Sequence, residues 1–139
     1  MLANLAPVAK SLMEEAGFKV DMQSMDWQTV VTRRAKKDSP NAGGWNAFLT
    51  SAASAAIANP ITAHYLNSAR GKAWLGWPCD AAMEKLRDQF ARETDPAQQK
   101  AIAEAVQVQA ANLVPFIPLG QWYERSLMRK NLVGVINRL

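Results

Sequence analysis

The sequence predicts an α/β fold, a small sheet with flanking helices, and three observations predict it. A helical repeat stops at Gly17 and gives way to an alternating run and an aspartate-led helix. A second apolar run, Trp45 to Ser51, is entered through two glycines. Two further aspartate-led helices then lead into a proline-marked crossover. Helices interleaved with short strands in this order imply a sheet whose successive strands run parallel.

Each element follows from its residue pattern. Leu5, Val8, Ala9, Leu12, Met13 and Ala16 recur at helical spacing while Lys10, Glu14 and Glu15 take the other face. Gly17 stands where a left-handed stop is needed. Phe18, Val20, Met22 and Ser24 alternate with Lys19, Asp21 and Gln23, the signature of a strand with one buried face. Asp26 can accept an amide hydrogen from the first turn of the next helix, WQTVVTRRAKK, which would bury Trp27, Val30 and Val31 and leave Arg33, Lys36 and Lys37 in water. Ser39 to Gly44 is a turn-rich break, and WNAFLTS reads as the second strand. The small-residue run to Asn59-Pro60 reads as loop, followed by a short helix near Ile61 to Ser68 and an irregular stretch carrying Trp74 and Trp77.

Asp80 caps the next helix, with Met83, Leu86 and Phe90 as its apolar stripe. Asp95 caps the last, with Pro96 at a position where a missing amide hydrogen costs nothing. Its inner face is Ile102, Val106, Gln109 and Leu113, reinforced by Ala105. The three residues Glu93 to Asp95 between these helices predict an antiparallel hairpin. Pro115 and Pro118 then end helical structure, and an aromatic run crosses Gly120 into a basic tail.

Composition narrows the function. At 139 residues, 49% hydrophobic and 20% charged, the chain suits one folded domain. No window of about 18 apolar residues offers a membrane span, and the start MLANLAPVAKSLMEEAG does not read as a secretory signal. A net charge of +4 is a small basic excess, better suited to solubility than to nucleic acid. His64 lies outside any metal-ligand spacing. With Cys79 it reads as a partly exposed histidine and a small buried thiol rather than a nucleophile and base. No enzyme chemistry, metal or cofactor is expected. Trp45, Trp74, Trp77 and Trp122 all sit beside glycine or proline breaks, and aromatics on loops suit a cleft for a small organic ligand.

Three blocks, in order, resemble one family. They are AGFKVDMQSMDWQTVVTRR, GGWNAFLTSAASAAIANP, and TDPAQQKAIAEAVQVQAANLVPFIPLG with the crossover that follows. They are similar to the peptide/nickel-type solute-binding proteins of ABC importers, extracellular solute-binding protein family five. The resemblance implies part of the C-terminal lobe of a two-lobe periplasmic binding protein of type II-like fold, with residues 1–118 in that lobe and 119–139 as the hinge crossover toward a first lobe. It implies capture of a small solute, peptide-like or another organic ligand, for an inner-membrane ABC permease, in the periplasm.

Trp45 and Phe48 would offer ring faces to that solute, Asn46 and Thr50 hydrogen bonds, and Gln121 and Trp122 would line the crossover. Peptide-binding members carry an aspartate shortly after the Gly-Trp pair. Here Asn46, Ala47, Phe48 and Leu49 follow, which favours a neutral or anionic ligand over a free amine. Surface bared without the first lobe predicts a homodimer or higher oligomer. The alternative is a small basic interaction protein using RRAKK and the terminal basic residues on an acidic partner or nucleic acid.

Overall fold

The computed structural model describes residues 2–123 and 127–133. Four helices organise the chain: α1 (Leu2–Glu15), α2 (Trp27–Arg34), α3 (Ala81–Arg92) and α4 (Pro96–Leu113). Short 3-10 turns at Pro40–Ala42, Ser54–Ile57, His64–Leu66 and Arg70–Lys72 punctuate the connection between α2 and α3.

The expected α/β fold is not formed. The described residues contain no strand and no sheet, and their only ladder-type pairing is an isolated antiparallel bridge between Ala69 and Cys79. The physical reason lies in what alternation encodes. A period of two specifies which side chains would share a face, but the strand itself needs a neighbouring backbone to take its amide hydrogens and carbonyls. Neither residues 18–24 nor 45–51 find such a neighbour, and the face expected to be buried stays open, with Phe18 61% and Met22 42% exposed.

Elements specified by local chemistry form as expected. Gly17 adopts φ +90°, and the Phe18 amide donates to Met13 O at 3.0 Å, closing α1 with a left-handed glycine stop. The aspartate caps are all made. Thr29 N donates to Asp26 at 3.0 Å, Met83 N to Asp80 at 2.6 Å and Gln98 N to Asp95 at 2.8 Å. The α2 helix ends at Arg34, three residues short of the expected Lys37, and Trp27 is half exposed rather than buried. α4 ends at Val114, whose φ of +48° is unfavourable for a β-branched residue. Pro115 behind it resists continuation of the helix.

The core lies at the hairpin. α3 packs on α4, and Gln109 donates to Asp80 at 3.1 Å, so the end of α4 lies beside the start of α3 as an antiparallel pair requires. Met83 and Val106 are sealed there, with Ala63 and Leu66 from the preceding loop and with Leu86 and Ala110 partly buried against them. Ala105, expected on the inner face, is exposed. No helix among the described residues is long and apolar enough to cross a membrane.

Candidate functional site

The loop of residues 59–80 is strapped to the hairpin by polar contacts. Buried Ser68 donates its amide hydrogen to Glu84 at 2.8 Å. Arg87 pairs with Glu84 at 2.7 Å and donates to Pro60 O at 3.0 Å. Asp80 N donates to Ser68 O, and Arg70 N to Pro78 O, which draws the two ends of residues 68–80 together. What this fixed loop presents is aromatic: His64, Tyr65, Trp74 and Trp77.

A second support comes from α2. Arg33, expected in water, is half buried and donates through Nε and Nη2 to Gly44 O at 3.0 and 2.8 Å, with a further bond to Gln23. Trp45 Nε1 donates to Arg34 O at 2.9 Å. Gly44 is required here because an added Cβ would lie 1.8 Å from Asp38 O. Only glycine lets the chain pass that carbonyl and deliver Trp45 to the end of α2.

The two supports meet in one aromatic cluster. Trp45 and Phe48 make an edge contact at 4.7 Å between centroids, and Phe48 reaches Trp74 at 5.9 Å. Trp74 contacts His64 at 4.6 Å and Tyr65 at 4.8 Å, and Tyr65 reaches Phe116, beyond α4, at 5.2 Å. The Arg34 guanidinium lies over Trp27, Phe48 and Trp74 at 5.2, 5.8 and 5.7 Å, an arrangement favoured by the negative faces of the rings. Burial, and then the Arg34 charge, hold the His64 imidazole below its usual pKa. Burial raises the Tyr65 phenol, with Arg34 opposing. Both groups are therefore neutral at pH 7, and the cluster offers ring faces, a neutral imidazole and one guanidinium.

The structure divides the sequence-predicted residues. Trp45 and Phe48 are in the cluster. Asn46 lies on the rim of a neighbouring depression, and Thr50 is half buried. Gln121 and Trp122 are exposed on the crossover and take no part in the cluster. Residues 124–126 and 134–139 of the expected hinge segment, Arg138 among them, lie outside the described residues.

His64, Tyr65, Arg34 and Phe116 join the cluster although the sequence does not mark them as candidates. Their meeting depends on contacts between distant segments, although the glycine and proline breaks around Trp74 gave a signal for that ring. Cys79 is exposed rather than buried and accepts a hydrogen bond from Arg70 Nε at 3.1 Å. Among the described residues, no three His, Cys, Asp or Glu side chains gather as metal ligands would.

Comparison with known proteins gives an informative likeness. The chain is 34% identical over 134 residues to a protein of Sinorhizobium fredii described as a probable peptide ABC transporter periplasmic-binding protein. The alignment takes in 96% of this chain and 25% of that protein, so the chain spans about a quarter of its relative's length. No family model matches the chain. The likeness supports the solute-binding protein family and leaves the ligand open.

Proposed function

We propose that the chain contributes a solute-facing part of an ABC-importer substrate-binding protein of family five, within its C-terminal lobe, and that the aromatic cluster meets the solute. Residues 119–139 would serve as the hinge crossover, and the whole protein would work in the periplasm with an inner-membrane permease. One observation carries the reading. Trp45 and Phe48, named from the Gly-Trp block, lie together on loops held by α2 and by the hairpin, in a chain whose relative is described as a periplasmic-binding protein.

No bond is made or broken in this role. Capture would come from closure of two lobes, a shift between open and closed populations. Tested by themselves, these 139 residues are expected to hold any solute more weakly than about 1 μM, a level that already demands some 8 kcal/mol of binding free energy. Ring faces, Asn46, Thr50 and the basic end of α2 suit a neutral or anionic solute, with Gln121 and Trp122 lining the crossover side.

The chain is further expected to self-associate. Val8, Leu12, Phe18 and Ile117 are among the large apolar side chains left more than half exposed, and bare apolar surface of this kind favours association. Light scattering should report a dimer or higher oligomer, and a clean monomer at high concentration would contradict this.

Saturation-transfer NMR with a panel of small peptides, sugars and organic acids tests the solute reading. Signal from one solute class, lost in Trp45→Ala, is the expected result. Absence of any signal, together with nucleic-acid binding that weakens steeply with salt, would replace it with the basic interaction-protein reading.

A further inference from the structure

We propose that the depression between the end of α2 and the turn at Gly76–Trp77 is a subsite for an organic anion that carries a flat ring. The inference rests on the solute-capture reading for its purpose and on this depression for its chemistry.

The depression has a volume of about 240 Å³ and is lined by Lys36, Lys37, Asp38, Trp45, Asn46, Gly76 and Trp77. Drug-sized ligands occupy pockets of roughly 300–1,000 Å³, so this space suits a single ring and its charged group rather than a peptide. Two lysines and one aspartate are among its lining residues, a net positive charge. Among the described residues neither lysine has a carboxylate within ion-pair distance. Elsewhere, Lys10 pairs with Glu14 and Lys100 with Glu104.

The walls are held in place. The Lys37 ammonium stands 4.7 Å from the centroid of Trp77, so its charge lies over a ring. Trp45 is fixed by its bond to Arg34 O and by its contact with Phe48. Trp77 is held at φ +48°, a left-handed conformation that bulky residues rarely adopt. Gly76 before it takes φ +96°, and the Trp77 amide donates to Trp74 O at 2.9 Å. A Cβ on Gly76 would sit 3.7 Å from the Trp45 ring, so the glycine turn runs directly against that wall. Two tryptophans, Asn46 and two lysines without an ion-pair partner among the described residues thus line one small space. A carboxylate directed at Lys36 and Lys37, with its ring against the indoles, uses all of them.

The test is titration of the 15N-labelled chain with benzoate and with uncharged benzamide, following the indole N–H signals of Trp45 and Trp77. Benzoate is expected to shift both signals with millimolar affinity and to bind at least about fivefold more tightly than benzamide, the gain two exposed ionic contacts provide. Lys36→Met/Lys37→Met, a change at exposed side chains, should abolish that preference, and Lys37→Arg should retain it. Equal binding of both probes, unchanged in the double variant, would overturn the anion subsite while leaving a solute surface at the tryptophans. No shift of either indole at tens of millimolar benzoate would overturn the subsite too, even if the panel finds a solute that needs Trp45.

Discussion

The α3–α4 hairpin and the α1–α2 half of the chain are built from the same kinds of residues, yet only the first buries them. Met83 is 0% and Val106 1% exposed, whereas Val8 and Leu12 of α1 are 54% and 57% exposed. Both halves have amphipathic helices and correct stops. The difference is the partner. Three connecting residues deliver α4 onto α3, while among the described residues no element packs along the apolar stripe of α1 to a comparable degree. An amphipathic stripe therefore specifies a face, and burial requires a second element that chain connectivity brings within reach. The candidate site lies between these regimes, on loops anchored to the hairpin at one end and to α2 at the other.

The largest expected contrast pairs one residue from each half. Met83→Ala should cost about 2–5 kcal/mol, the range for emptying a sealed core position, measured by urea denaturation. Leu12→Ala should stay within about 0.5 kcal/mol, as surface changes do. Comparable losses would mean that α1 is buried in solution, and the contrast would fail.

Next in size is Gly44→Ala. Its Cβ must displace Asp38 O, so a cost above about 1 kcal/mol is expected, with loss of the Trp45 indole bond to Arg34 O. Unchanged stability together with an unmoved Trp45 indole signal would show that the turn relaxes without effect.

The smallest effect is set by pH. His64 has a folded-state pKa below its unfolded value of about 6.5. The unfolded chain therefore binds more protons across that interval, and stability rises with pH there. This contribution is present above pH 6.5 and is lost as pH falls through the folded-state value. His64→Gln should flatten the slope between pH 7 and pH 5. An unaltered slope would place its origin elsewhere.

What was legible in the sequence follows the same division. The caps at Asp26, Asp80 and Asp95, the Gly17 stop and the hairpin could be read because each depends on residues a few positions apart. The sheet was misread because alternation at Phe18 to Ser24 reports a face and not a partner strand. Trp45 and Phe48 were legible as ligand-facing candidates through the Gly-Trp block. Arg34, Tyr65 and Phe116 were not, since their rings and charge meet across distant segments. Arg33 looked like a solvated charge. Only the buried Gly44 carbonyl gives it a reason to turn inward.

The central claim is that the hairpin is scaffold and the aromatic loops are the solute-facing surface. The most direct test is a two-dimensional amide titration with the solute that gives the strongest saturation transfer. Shifts centred on residues 45–50 and 64–77, with residues 83–110 unmoved, are the predicted result. Shifts centred on α3 and α4, with residues 45–77 silent, would contradict it.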